Sequence, residues 1–283
     1  MKRILITGAA SYIGTSFEKW VSQWPNLYEV ETIDVKGNEW KNKSFSSYDV
    51  IYHIAAIVHI KENDTENYFN VNRDLAFEVA KKAKQEGVKQ FIFISTMGVY
   101  GMETGFIDVN TKTSPKTPYA ESKLEAEGLL NEISNDIFKV AILRPPIVYG
   151  KDCRGNYPRL ASIALKLPAF PKVKNKRSMI FIDNLSEFVR MTIDYEMGGL
   201  FFPQNKEYVN TTELVQLIAK VNGKDLKLTS AFNSLVNLGI KMSDNFSKVF
   251  GSFVYDKKMA GGPGKEFDYE TCSFHESIEL TEK

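Results

Sequence analysis

Tyr119 and Lys123 stand four residues apart in the run YAESK. If that run is helical, the two side chains share one face. An ammonium beside a phenol stabilises the phenolate and lowers a pKa that is ordinarily about 10. A tyrosine tuned in this way can pass a proton to or from a substrate hydroxyl near neutral pH. Tyr-x-x-x-Lys is common by chance, and alone it reads as a solvated surface pair. Here FIFISTMGVYG precedes it and puts Ser95 and Thr96 at the end of a strand-like stretch. Ligands bind at the carboxyl ends of strands in open parallel sheets. The Thr96 hydroxyl could hydrogen-bond the reacting oxygen and help orient Tyr119.

A second constellation opens the chain. The segment ILITGAASYIG joins a short apolar run to a helix-like stretch, the turn at which a dinucleotide's pyrophosphate is held by N–H groups and the dipole of a helix start. Gly8 would allow the tight turn, and Gly14 the close approach of helix to sheet. Ser11 stands where a third glycine would complete Gly-x-x-Gly-x-x-Gly, and its hydroxyl could itself serve a phosphate. Tyr12 and Ile13 belong to the same loop. Asp34 follows the next apolar run, ~20 residues beyond the loop, where an acidic side chain accepts from the adenosine ribose hydroxyls. That favours NAD; Lys36 nearby could tolerate a 2′-phosphate, which leaves NADP open.

These residues need elements to hold them. Apolar runs at Ile4–Ile6, Val30–Val35, Val50–Ile54, Phe91–Ile94 and Val140–Leu143 are short and nearly continuous, as strands buried on both faces are. Helix-like stretches lie between them at Thr15–Trp24, Tyr68–Glu86 and Pro118–Ile133, with Gly87 just past the second. The alternation predicts an α/β fold on a parallel sheet. No third strand is evident in the short stretch from Val35 to Tyr48. After Gly150 the rhythm breaks. A further strand is expected at Met179–Ile182, and helices at Leu185–Tyr195 and Thr212–Val221. The Gly-rich Met259–Lys265 reads as mobile.

With 36 basic and 35 acidic residues and a net charge of +1, the chain lacks the broad basic footprint of a nucleic-acid binder. Lys172, Lys174, Lys176 and Arg177 form the densest basic cluster, read as either solvated surface or a site for one phosphorylated small molecule. Two distant cysteines and three histidines match no metal-ligand spacing, so no metal is expected. No signal-peptide core or membrane-length apolar run is evident, and the protein is expected to be cytoplasmic with no membrane partner. His53 and His59 read as packing or loop residues, Trp20 and Trp24 as core. Cys153 has no paired base in sequence and is not taken as a nucleophile.

In order, TGAASYIG, DVIYHIAA, FNVNRDL, FIFISTMGVYG, YAESK, LRPPIVYG and RSMIFIDN resemble the extended short-chain dehydrogenases/reductases, and among them the NAD-dependent epimerase/dehydratase family. The resemblance is strong over residues 1 to 200. It implies a Rossmann doubly wound parallel sheet over residues 1–150, with 178–200 returning to it, and a smaller substrate-binding lobe over 151–283. It further implies Tyr119 as acid/base, Lys123 as its electrostatic partner and ribose ligand, and Thr96 as hydroxyl donor. Ala55, Ala56, Asn70, Ser95 and Pro145 would lie along the cofactor. Arg177 would bind the substrate pyrophosphate, a role suited to its fork of donors, and Asn156 would reach the substrate. A homodimer through the helices that include Tyr119 is common in the family.

Departures from the pattern narrow the chemistry. Met97 and Gly98 replace the Asp-Glu of sugar-nucleotide 4,6-dehydratases, against dehydration. Ile147 stands where UDP-hexose epimerases often carry asparagine. The expected activity is hydride transfer at C4 of a nucleoside-diphosphate sugar, a 4-epimerase being preferred. The alternatives are a 4-keto sugar-nucleotide reductase, reduction of a lipid-like carbonyl in the same fold, and a cofactor-binding sensor without turnover.

Overall fold

A computed structural model describes residues 1–58, 65–231, 233–262 and 267–283. His59 and part of the Gly-rich stretch Met259–Lys265 lie outside the described residues. The chain forms two compact units. The first comprises Met1–Gly101, Lys112–Pro145 and Ser186–Phe202; the second comprises Met102–Thr111, Pro146–Leu185 and Pro203–Lys283.

The first unit is a six-stranded, all-parallel sheet. Its strands are β1 (Lys2–Thr7), β2 (Tyr28–Ile33), β3 (Val50–His53), β4 (Gln90–Ile94), β5 (Lys139–Leu143) and β6 (Gly199–Phe201), in the order β6-β5-β4-β3-β1-β2. The chain steps one way from β1 to β2 and the other way from β1 through β3, so the strand order reverses at β1. Such a reversal opens a crevice at the carboxyl ends of the strands on either side. This is the Rossmann-like α/β fold the motifs imply, with one strand fewer beyond β2. Between Ile33 and Val50 the described chain makes only a short 3₁₀ turn, Glu39–Asn42, whose Trp40 is buried and stacks on Phe45 at 6.3 Å. Trp40, Phe45 and Tyr48 of this stretch join the core formed with Leu5 and Ile51.

The central strands are buried on both faces because helices cover both. Leu5, Ile51, Phe91, Phe93 and Ile142 form one core with Val79, Ala80 and Ala83 of α2 (Ala76–Gln85) and with Ala126 and Leu130 of α3 (Pro118–Ile133). The recurring alanines let these helices lie close on the sheet. α1 (Tyr12–Val21) packs through Phe17 and Val21, and its Trp20 donates to Glu187 of the helix Ile182–Asp194 at 2.8 Å. Trp20 and Trp24, read from sequence as core, are only half-buried. Their indoles sit edge to face at 6.1 Å, and Trp20 keeps its N–H on a carboxylate, a placement suited to a side chain with one polar edge.

The second unit is built from small parts. Short parallel pairs join Ile147–Tyr149 to Met179–Phe181, Ala169–Pro171 to Lys227–Thr229, and Gly105–Ile107 to Phe253–Tyr255. Around them lie α4 (Asn156–Lys166), α5 (Thr211–Val221), α6 (Asn233–Met242) and α7 (Asp244–Phe250). Tyr149 anchors its core, stacked on Tyr157 at 5.5 Å and hydrogen-bonded to Ser277 and Asn205.

Candidate active site

The loop after β1 is shaped by close approach. Gly8 has φ +111°, and a Cβ there would fall 2.8 Å from the backbone nitrogen of Ala55. Ala55 itself donates to the Thr7 carbonyl at 2.9 Å, which draws the chain after β3 alongside the loop. A Cβ on Gly14 would meet Ser11 Oγ at 2.6 Å and the side chains of Ile6 and Ile54, so glycine lets α1 sit on the strand ends. Ser11 is the N-cap of α1; its hydroxyl oxygen accepts from Gly14 N–H at 3.2 Å and its hydrogen remains to be donated. The first turn of a helix has N–H groups without intrahelical partners, and Tyr12 and Ile13 lie in that turn. Asp34 follows β2 directly and is exposed, with its carboxylate accepting from Lys36 N–H at 2.9 Å. A bare strand–turn–helix with an acid at the next strand end fits the diphosphate and ribose of a dinucleotide.

The helix α3 carries Tyr119 and Lys123. Thr117 caps it by accepting from Ala120 N–H at 3.2 Å, and Pro118 holds its first turn. Tyr119, Lys123 and Glu127 follow at i, i+4 and i+8 on one face. Tyr119 is half-buried, its ring edge-to-face with Tyr68 at 6.2 Å. Lys123 is 2 % exposed; its ammonium donates to the Ile94 carbonyl at 2.8 Å and lies 4.5 Å from the centre of the Phe93 ring. Thr96 caps the short turn after β4, accepting from Gly98 N–H at 3.0 Å, which leaves its O–H free to donate.

The electrostatics correct one expectation. Proximity to Lys123 was expected to lower the Tyr119 pKa; burial instead pushes the phenol up to about 12. Burial also lowers Lys123 to about 7, with Glu127 opposing. A desolvated amine that is only partly charged near neutrality, and whose proton is held by a backbone carbonyl, gives a phenol little support. The Lys123 shift has a consequence for stability. Its folded pKa lies below its unfolded value near 10.5, so between pH 7 and 10.5 the unfolded chain binds more protons and stability rises with pH. Unfolding free energies across that window should climb with pH in the wild type, and Lys123→Met should flatten the climb. Equal slopes in both proteins would refute the burial of this amine.

Beneath this face lies a buried network absent from the sequence reading. Glu127 is 3 % exposed and Arg144 6 %. Their carboxylate and guanidinium pair through Nε at 3.0 Å and Nη2 at 2.5 Å. Ser95 donates its hydroxyl to Glu127, and Arg144 Nη1 donates to Tyr100 Oη at 2.9 Å. Ser95 is thus turned inward onto a carboxylate. Pro145, next in the chain, is buried, and its carbonyl accepts from Met97 N–H at 3.0 Å. Asn70 is exposed. Two residues on, Asn72 is fully buried and brackets Ile57, accepting from its N–H at 2.8 Å and donating to its carbonyl at 3.0 Å; it also donates to Ser122 of α3. It sits in a π-helical turn, Asn70–Leu75, a local widening that often accompanies functional sites. Ala55 is half-buried and Ala56 exposed at the end of β3. His53 is buried, stacked on Phe91 and Phe93, hydrogen-bonded to Thr7 at 2.7 Å and kept neutral by burial.

In the second unit, Arg177 is 7 % exposed and lines a cavity of 220 Å³ with Asn156, Arg159, Lys248 and Thr211. Its Nη1 donates to the Gly251 carbonyl at 3.1 Å, while its Nε is buried with no partner among the described residues. The cavity wall is otherwise apolar, with Ile147, Leu160, Met179 and Val209; no carboxylate is among the described lining residues, and Glu103 pairs with Lys248 at 3.5 Å. Burial weakens the guanidinium's hold on its proton, and an anion in the cavity would restore it. The basic cluster noted in sequence is therefore split: Arg177 turns inward, and Lys172, Lys174 and Lys176 are exposed. Arg159 and Lys248 escaped the sequence reading because their proximity to Arg177 is purely tertiary.

Residues 4–196 match the model of the NAD dependent epimerase/dehydratase family. The chain is 30% identical over 249 residues to UDP-glucose 4-epimerase of Vibrio cholerae, covering 77% of this chain and 75% of that protein. It is 26% identical over 267 residues to N-acetyl-alpha-D-glucosaminyl-diphospho-ditrans,octacis-undecaprenol 4-epimerase of Escherichia coli O157:H7, covering 88% and 81%. Its fold resembles UDP-glucuronic acid 4-epimerase from Bacillus cereus in complex with NAD, at TM-score 0.75 and 20% identity, over 99% of this chain and 95% of that one. With its glycine loop, its Tyr-x-x-x-Lys helix and a family match over most of its length, this chain belongs to the NAD-dependent epimerase/dehydratase family of extended short-chain dehydrogenases/reductases.

Proposed function

We propose that the chain is an enzyme that moves hydride at C4 of a nucleoside-diphosphate sugar, with 4-epimerisation preferred. The observation that carries the sugar-nucleotide part is Arg177: a buried guanidinium whose Nε has no hydrogen-bond partner among the described residues, in a cavity it shares with Arg159 and Lys248, of which only Lys248 has a carboxylate partner among the described ion pairs, Glu103. A guanidinium is removed from water at considerable cost unless an anion meets it, and a diphosphate suits its fork. The similarity to 4-epimerases supports the choice of reaction.

Gly8, Ser11, Tyr12, Ile13 and Gly14 would hold the diphosphate of NAD, and Asp34 its ribose. Ala55, Ala56, Asn70, Ser95 and Pro145 would lie along the bound molecule. When bound, the nicotinamide supplies the hydride acceptor and donor, chemistry the side chains lack. Tyr119 takes the proton of the C4 hydroxyl in the oxidative half and returns it in the reductive half. Thr96 donates to the same oxygen. Lys123, when protonated, supports the phenolate. Arg177 and Asn156 hold the substrate away from the reacting carbon.

UDP-glucose and UDP-N-acetylglucosamine incubated with the protein and NAD should yield their C4 epimers, read by NMR. Arg177→Ala should raise KM at least ~10-fold with kcat little changed, as loss of uniform binding does; an unchanged KM would remove the diphosphate reading. Ile147 in the cavity wall favours a second reading, one-way reduction of a 4-keto sugar nucleotide. Failure to epimerise either sugar, with turnover of a 4-keto-6-deoxy sugar nucleotide by NADH or NADPH, would establish it.

A further inference from the structure

We propose that one face of the second unit, built from the end of α4 and the α6–α7 pair, docks on an anionic lipid bilayer surface. The face is apolar where it should be polar. Leu238 and Met242, at i and i+4 on α6, are 54 % and 76 % exposed, and Phe246 of α7 is 43 % exposed. Leu165 and Leu167, at the end of α4, are each 42 % exposed. Isolated exposed apolar side chains are ordinary; a group of them marks an interaction surface.

Contacts link these residues through the core of the second unit, by way of the buried Phe170. Gly239 of α6 is so close to α7 that a Cβ would fall 2.6 Å from the Phe246 ring. Phe246 packs on Phe250 at 5.8 Å, and Phe250 on Phe170 at 5.7 Å, three residues beyond Leu167. Lys224 donates to the carbonyls of both Leu165 and Leu167 at 2.7 Å, which puts a cation at the edge of the apolar strip.

Charge names the partner. Segments 151–177 and 224–250, which supply α4, α6 and α7, carry twelve Lys and Arg against three Asp and Glu, and nine against three when Arg159, Arg177 and Lys248 of the cavity are set aside, in a chain whose total is +1. The rest of the chain is therefore net negative. A second copy offering the same face would meet like charge, whereas anionic headgroups complement it. Apolar side chains entering a headgroup layer, ringed by lysines, are the pattern of interfacial membrane binding. No helix among the described residues is long and apolar enough to cross a membrane, and surface docking requires none. The expectation of no membrane partner rested on the absence of a spanning run, which does not bear on this mode. The same helices wall the Arg177 cavity, through Leu160 and Ile163 of α4 and Lys248 and Val249 of α7. Docking would therefore suit a diphospho-sugar carried on a lipid, an extension that rests on the cavity reading above.

The test is flotation of the full chain with vesicles of phosphatidylglycerol and phosphatidylcholine, or of phosphatidylcholine alone. At ~0.1 M salt, recovery should be at least ~10-fold greater with the anionic vesicles and should fall steeply by ~0.5 M, as the Debye length shortens. Leu238→Glu with Met242→Glu should abolish recovery while melting like the wild type. Val109→Glu and Ile137→Glu, at exposed apolar positions elsewhere (81 % and 83 %), should float normally. Equal recovery on both vesicle types, or on anionic vesicles by the double variant, would overturn the proposal. So would a wild-type dimer that ignores vesicles and is split by the double variant, which would assign the face to a second copy. Flotation needs no turnover, so its failure is distinguishable from failure of the epimerisation assay.

Discussion

Tyr119→Phe lowers turnover by ~10²–10⁴-fold, the usual worth of a positioned acid or base, and leaves nicotinamide-cofactor affinity unchanged. The substitution removes one oxygen from a half-buried ring and disturbs no hydrogen bond among those described, so the fold has no reason to respond. Stopped-flow or steady-state turnover alongside cofactor titration by fluorescence would check it. The pairing of the two readouts decides between readings. Loss of turnover with intact binding is what an acid/base does, and it excludes a cofactor-binding sensor. Loss of both would make Tyr119 a structural residue; loss of neither would move the proton chemistry elsewhere. The pH dependence carries a further sign. With the phenol near 12 and Lys123 near 7, Tyr119 is a proton donor at neutral pH, the state needed for the reductive half. Taking a proton in the oxidative half requires positive charge beside the ring, so Lys123→Met should slow oxidation of the C4 hydroxyl more than reduction of a 4-keto sugar.

Arg144→Met destabilises the chain by about 3–5 kcal/mol, the cost of leaving one member of a buried ion pair uncompensated. Glu127 then stays in the interior with Ser95 as a donor and no guanidinium to pair with. Urea unfolding of variant and wild type measures the loss. The double variant Glu127→Leu with Arg144→Met should recover much of the loss, since a well-packed apolar pair often replaces a buried ion pair without penalty. A single variant as stable as the wild type would mean that water reaches the pair. The double variant should nevertheless work poorly, because the same carboxylate fixes Ser95 and lies one helical turn from Lys123.

Much of the first unit was legible in the residues. Strand runs buried on both faces read as continuous β-branched and aromatic stretches, and four of the six sheet strands announced themselves that way; β2, expected at Val30–Val35 as one of them, is an edge strand with only Tyr28 buried. The sixth, Gly199–Phe201, did not, being a three-residue edge. The helix Pro118–Ile133 was legible to the residue because its cap and its proline are local signals. The places of Gly8, Gly14 and Ser11 at a strand–helix turn, of Asp34 at a strand end, and of Tyr119 and Lys123 on one helix face followed from spacing, since a turn and a helix face are determined within a few residues.

What depended on tertiary structure was of another kind. Glu127 was visible at the next turn after Lys123, yet only packing against Arg144, Ser95 and Tyr100 makes it a buried carboxylate rather than a surface one. Desolvation reversed the expected direction of the Tyr119 pKa, because burial is a property of everything around a group and not of its neighbour four residues away. Asn72 rather than Asn70 turned inward because a π-helical turn rotates the register of its helix. In the second unit the basic run 172–177 divided between a cavity and the solvent, and Arg159 and Lys248 came to Arg177 from distant segments. Short-range periodicity settles which residues share a face; long-range packing decides which face is dry, and with it the charge each group can bear.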